Sequence, residues 1–308
     1  MTPSRDIGQK SVAPRDLLAT VGSAAAGLAT ASAALAQSPA APSPDEPSGK
    51  PTVALERLPK GVLLIGIDRP EAQNRIDVPT FGALGQAYYQ FEHDDDLRVA
   101  VLHGRGADFS RGLDAQSWGA AFAAGPFKPV PNSMDPLGTS GPERSKPLVV
   151  AVQGHVTRIA HELFLAADVR IAARDAVFNQ GEVTAGAFPG GGATIRFVRE
   201  AGWGNAMRYM LTGEDWHADE AQRMGLVHEL TTPGQQLDRA IEMAQRIAAA
   251  APLGVRATLA SARRALGDGE NAALGALQPE FFRLLRSEDR QEYIRALREN
   301  RAPVFVGR

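Results

Sequence analysis

Apolar positions along this chain follow two repeats in turn. Residues 62–67 (Val-Leu-Leu-Ile-Gly-Ile) form an unbroken apolar run closed by Asp68-Arg69-Pro70, which predicts a buried strand. Residues 78–91 follow the helical repeat, with Pro79 tolerated in the first turn. A second strand is predicted over 98–103, followed by a turn at 104–108. Residues 146–152 are again apolar and β-branched, hence a third strand. After Gly154 the period lengthens, and Ile159, Glu162, Leu165, Ala166 and Val169 fall on one helical face. That face is apolar except for one carboxylate. A further strand-like run, Ala176-Val177-Phe178, precedes a glycine-rich turn carrying Glu182. Four helices are predicted at the end, over 237–251, 253–266, 272–285 and 288–300. Strands alternating with helices predict an α/β domain with at least partly parallel pairing. Residues 124–147 are rich in proline and glycine and lack any period. They read as a long loop, the kind that tends to be functional.

The chain start has a different composition. Arg5, Lys10 and Arg15 precede an Ala/Gly-rich segment over 17–35, which ends in a small-x-small pattern, Ala34-Leu35-Ala36. Residues 1–36 therefore read as an export signal, similar to a twin-arginine signal whose first arginine is missing. The segment is too weakly apolar for a membrane span. Residues 37–52 are Pro/Ser-rich and predict an extended linker. The remainder divides into a core over 53–236 and a helical region over 237–308. The expected location is the periplasm, or the cytoplasm if the signal is not used.

Composition narrows the chemistry. With 308 residues and 44% apolar content the chain can build a real core, as one large domain or two small ones. A net charge of −2 with interspersed signs gives no reason to expect nucleic acid. The absence of cysteine excludes disulfides, thiolate catalysis and Cys-based metal sites. The histidines show no ligand spacing, since His161-Glu162 lacks the second histidine of a zinc helix, so no metal is expected. Ser110 is preceded two positions earlier by Asp108, so it is not the centre of a nucleophile elbow. The acidic run 92–96 reads as the solvated end of a helix. Glu162 is different, because an ionisable group on a core-facing stripe is costly without a partner or a task. Glu162 and Glu182 meeting in one pocket could divide proton donation and acceptance between them. A glutamate in a first helical turn also serves the helix dipole, so the local pattern leaves both roles open.

Ordered motifs then carry a resemblance to the crotonase (enoyl-CoA hydratase/isomerase) superfamily across 53–308. Arg69-Pro70-Glu71-Ala72-Gln73-Asn74 resembles R-P-E-x-x-N, and Phe109-Ser110-Arg111-Gly112-Leu113-Asp114 resembles F-x-x-G-x-D. Phe178-Asn179-Gln180-Gly181-Glu182 resembles F-G-Q-P-E, and the run from Pro189 to Thr194 resembles P-G-x-G-G-T. The tail from Glu299 to Phe305 resembles E-K-R-K-P-x-F. The resemblance implies a spiral of ββα units with a helical C-terminal region used for trimerisation, as a homotrimer or a dimer of trimers. It implies catalytic roles for Glu162 and Glu182, and an oxyanion hole from the amides of Arg111 and Ile159. Such donors are worth about 3–4 kcal/mol each elsewhere. Substrate contacts would fall to Ala72, Asn74, Gly112, Asp114, Gly190 and Arg301. No cofactor is implied; a coenzyme A thioester would be the substrate.

Departures from the family pattern bear on that substrate. Arg158, Ile159 and Ala160 stand where a glycine triplet is usual, which should narrow or charge the pocket. His161 is expected on the helix surface. Gln73, Asn300 and Ala302 replace cations that would serve CoA phosphates, leaving Arg301. With export, this favours a second reading, a CoA-independent C–C hydrolase of β-dicarbonyls in which Glu182 activates water. Residues 154–157 are similar to that branch, although it uses His and Asp where this chain has Glu182 and Gly191. A third reading is a non-catalytic binding protein on the same fold.

Overall fold

The computed structural model describes residues 52–124 and 130–308. The segments read as export signal and linker fall in 1–51, outside the described residues, apart from Thr52. Residues 50–308 form one compact unit.

The chain opens with an antiparallel pair, β1 (Val53–Leu58) and β2 (Val62–Ile67), turned at Lys60 and Gly61 with φ of 66° and 75°. Helix α1 (Val78–His93) follows, its first turn capped by the Asp77 carboxylate, which accepts the Thr80 amide at 2.8 Å. Then come β3 (Val99–Gly104), α2 (Ala115–Ala123), β4 (Leu148–Val152), β5 (His155–Thr157) and α3 (Ile159–Leu165). The next turn comprises β6 (Val169–Ala173), β7 (Val177–Asn179), α4 (Ala193–Ala201) and α5 (Trp203–Thr212). After these lie β8 (Trp216–His217), α6 (Ala218–Arg223) and β9 (Glu229–Thr231). Four helices close the chain: α7 (Gln236–Ala248), α8 (Pro252–Gly267), α9 (Glu270–Leu285) and α10 (Glu288–Arg298).

Two sheets result. The larger runs β1-β2-β3-β4-β6-β9, parallel beyond the first pair; the smaller runs β5-β7-β8. Two successive turns, β4-β5-α3 and β6-β7-α4, each lay one strand in the larger sheet, the next in the smaller, and then a helix. This is the repeating ββα spiral expected from the sequence.

Alternation explains the unbroken apolar runs. Leu63, Ile65, Ala100, Leu102, Val150 and Val152 face one core. Their neighbours Val62, Leu64, Val99, Val101, Val149 and Ile171 face a second core under α7. A sheet covered on both faces has no polar face to show in its sequence. Ala240, Ala244 and Ala248 recur every four residues along α7, and their small side chains let it lie close to the strands.

The helix carrying Glu162 is shorter than the periodicity suggested. It ends at Leu165, and Val169 opens β6 instead of extending the helical face. The C-terminal tail is tied back: Arg98 donates to Ala248 O at 3.0 Å and to Phe305 O at 2.6 Å. Among the described residues no helix is long and apolar enough to cross a membrane.

Candidate active site

A cavity of about 1450 Å³ opens between α1, α2, the start of α3 and the segment after β7. Glu162 and Glu182 both line it. Glu162 is 3% exposed, and its Oε1 accepts the amides of Gly191 at 2.7 Å and Ala193 at 3.2 Å. Burial raises its pKa to about 7; the two amides and Arg196 oppose that shift, and the charge of Glu182 adds to it. Glu182 opens a short 3-10 turn, and its Oε1 accepts Gln180 Nε2 at 2.9 Å. Its Oε2 is buried without a hydrogen-bond partner among the described residues. Burial raises Glu182 as well, against the Gln180 hydrogen bond and the nearby Arg158 cation. Two carboxyls that each disfavour charge, and repel one another, titrate as a pair that readily retains one proton.

The main-chain donors need one correction. The Arg111 amide donates to Gln73 O at 3.2 Å, so it is occupied within the protein. Leu113 is the better candidate. Ile76 donates to Gly112 O at 2.8 Å and accepts from the Asp114 amide at 2.9 Å, a parallel bridge. Alternation turns the Leu113 N–H to the other edge, where a Cβ on Gly112 would stand 3.1 Å from Thr157 O. Leu113 lines the cavity. Opposite it, Ile159 is the first residue of α3, so its N–H has no partner within the helix. The Arg158 before it adopts φ 55° and ψ −115°, a conformation suited to glycine. The sequence signal for Leu113 was its place between Gly112 and Asp114, whose alternating bonds to Ile76 only the fold reveals.

The other predicted contacts divide. Gly190 lines the cavity with Arg111, Ile159 and the two glutamates; Ala72, Asn74, Gly112, Asp114 and Arg301 are not among its lining residues. Asn74 is 1% exposed and structural: its Nδ2 donates to Arg105 O at 2.7 Å and Asp108 O at 2.8 Å. Ala72 ends a 3-10 turn, and Asp114 caps α2 by accepting the Ser117 amide at 3.0 Å. Gly112 holds φ 89° at the crossing with Thr157. Arg301 pairs with Glu292 and Glu299 within the C-terminal region.

His161 is not on a helix surface. It is fully buried, because every residue of the seven-residue α3 is buried and the helix has no solvent side. Its ring packs edge-on against Trp216 and Phe197 at centroid distances of 5.1 and 5.2 Å. Residues 130–142 contribute the far wall. There Asp135 accepts the amides of Leu137, Thr139 and Ser140 at 2.8–3.0 Å, while Met134 and Leu137 reach into the core. The cavity is also more cationic than the motifs implied, with Arg75, Arg111 and Arg158 along its lining beside His155. Asp108 holds Arg111 and His155 at 2.9 and 2.8 Å.

Comparison with known proteins identifies the family. The family model for enoyl-CoA hydratase/isomerase matches residues 57–308. The chain is 32% identical over 251 residues to an enoyl-CoA hydratase of Mycobacterium tuberculosis, spanning 80% of this chain and 93% of that one. It is 30% identical over 247 residues to the 2,3-dehydroadipyl-CoA hydratase of Escherichia coli, spanning 80% and 96%. A solved structure of a probable enoyl-CoA hydratase/isomerase from Mycobacterium abscessus is similar at TM-score 0.80 and 44% identity, covering 83% of this chain and 99% of that one. From residue 57 to its end, this chain belongs to the enoyl-CoA hydratase/isomerase family of the crotonase superfamily.

Proposed function

We propose that this protein adds water to, or removes it from, the double bond of an α,β-unsaturated acyl-CoA. The observation that carries this reading is the placing of Glu162 and Glu182 on one cavity together with the amides of Leu113 and Ile159, which have no backbone hydrogen-bond partner among the described residues. The two N–H groups would receive the thioester oxygen as it gains negative charge. A water held between the carboxyls gives its proton to the ionised member as its oxygen bonds to Cβ. The protonated member supplies the proton that Cα takes up, and dehydration runs the same steps in reverse. Glu182 lines the cavity, and its Oε2 keeps an unused acceptor position among the described residues. Arg75, Arg111 and Arg158 offer positive charge to an anionic thioester in place of the family's lysines.

Assembly is part of the same proposal. Leu274, Leu277, Phe281, Phe282 and Leu297 are each at least 46% exposed on α9 and α10. An apolar face of that kind supports packing against further copies of this chain.

The test is hydration of crotonyl-CoA, followed as loss of the enoyl absorbance. Glu162→Gln and Glu182→Gln should each lower kcat by about 10²–10⁴-fold. Turnover that survives both substitutions would remove the reading.

A further inference from the structure

Three side chains form a continuous hydrogen-bonded line from the aromatic core to the cavity. His161 Nδ1 bonds to Gln180 Oε1, and Gln180 Nε2 donates to Glu182 Oε1 at 2.9 Å. His161 and Gln180 are both fully buried. We propose that His161 is a positioning residue, whose Nδ1–H holds the Gln180 amide in the one orientation that lets Gln180 donate to Glu182. The inference rests on Glu182 acting as an acid/base group.

A glutamine amide is ambivalent, since a half-turn exchanges its oxygen and nitrogen. With the half-turn, Gln180 would aim its carbonyl at the Glu182 carboxylate and withdraw the donor that orients it. Something must choose. His161 chooses if its single proton sits on Nδ1, and its surroundings favour that tautomer. The other nitrogen, Nε2, is buried with no hydrogen-bond partner among the described residues, on a ring packed edge-on against Phe197 and Trp216. An N–H there would lose a donor outright, whereas the Nδ1–H is satisfied. Burial also lowers the His161 pKa to about 3, aided by Arg170, so the ring stays neutral at any working pH. Placing a histidine in a box of Phe164, Phe178, Phe197 and Trp216 is costly for packing alone. The line to Gln180 accounts for it.

The charged groups facing Glu182 are Arg158, from the start of α3, and Glu162. Substitution at His161 removes neither charge, and the Glu162 titration read in the same spectra shows whether a changed Glu182 midpoint reports the Gln180 link. Three variants separate the roles. His161→Leu fills the box but donates nothing. His161→Asn keeps a donor where Nδ1 stood. Glu182→Gln assigns the carboxyl resonance. The Glu182 titration is followed by carbon-13 NMR on glutamate-labelled full-length protein, and kinetics use crotonyl-CoA.

His161→Leu is expected to raise the Glu182 midpoint, because a donor to the ionised form is lost. It should lower kcat on the order of tenfold with KM within about twofold, and His161→Asn should return both toward the unmodified protein. Nitrogen-15 shifts of the unmodified protein should show His161 as the Nδ1–H tautomer, a readout needing no folded leucine variant. The proposal is overturned by an Nε2–H tautomer, by an unmoved Glu182 midpoint in His161→Leu, or by His161→Asn doing no better than leucine. Absence of crotonyl-CoA turnover in the unmodified protein overturns the hydratase reading instead, while titration and tautomer, read without substrate, still decide the role of His161.

Discussion

Gly191 and Glu162 occupy each other's space: the Gly191 amide donates to Glu162 Oε1 at 2.7 Å, and a Cβ on Gly191 would lie 2.5 Å from Glu162 Oε2. Gly191→Ala should therefore displace the carboxyl without disturbing the sheet. We expect kcat to fall about 10²-fold, the cost of a misplacement of the order of 1 Å. Thermal unfolding should stay cooperative. Steady-state kinetics beside a melt checks this, and full activity in the alanine variant would show that the Glu162 position is not critical.

Glu162 also makes stability depend on pH. Its folded-state pKa, about 7, lies above the ordinary 4.5, so the folded protein holds this proton more tightly than the unfolded chain. The associated stability is complete below about 4.5 and is lost as pH rises through about 7. At each tenfold change in proton affinity worth about 1.4 kcal/mol, the loss is at most about 3–4 kcal/mol. Glu162→Gln should match the unmodified protein near pH 4.5 and be more stable than it at pH 8. Denaturant titrations at the two pH values check the sign.

Arg158 holds a backbone conformation that costs a non-glycine residue about 1–3 kcal/mol. Arg158→Gly should relieve that strain, partly offset by about 1 kcal/mol of glycine entropy. The net gain should raise the melting temperature by about 2–4 °C. The same change removes the cation that opposes the raised pKa of Glu182, so the acid limb of kcat should move to higher pH. A stabler protein with an unmoved limb would place the guanidinium outside the reaction.

Assembly can be read by light scattering. Phe281 and Phe282 are 55% and 52% exposed and pack edge to face with each other. Phe281→Glu is expected to reduce the assembly to smaller species while leaving the monomer's helical content intact, as followed by circular dichroism. An unmodified protein that is monomeric at tens of micromolar would contradict self-association through this face.

Legibility in the sequence followed the range of each interaction. The strands Val62–Ile67 and Leu148–Val152 were readable because a sheet buried on both faces leaves an unbroken apolar run. The spiral was readable from the order of its motifs. His161 was misread because seven residues give under two helical turns, too few for a polar face to declare itself. The sequence reading assigned a donor role to the Arg111 amide and could not see that it bonds Gln73 O, because that depends on which edge of residues 112–114 bonds Ile76. The segment 124–147 had no period because its described part is organised by the carboxylate of Asp135, not by a repeat.

That carboxylate has a consequence for how the pocket can diversify. Asp135 gathers Leu137, Thr139 and Ser140 around itself, and no strand of either sheet takes part. This wall of the cavity is thus organised locally by one carboxylate, with ties to the rest of the fold from the Met134 amide to Gly85 O and from Arg196 to Gly138 O. Residues around Asp135 can lengthen, shorten or change polarity to suit a different chain, provided that carboxylate is kept, while the acid pair stays anchored to α3 and the turn after β7.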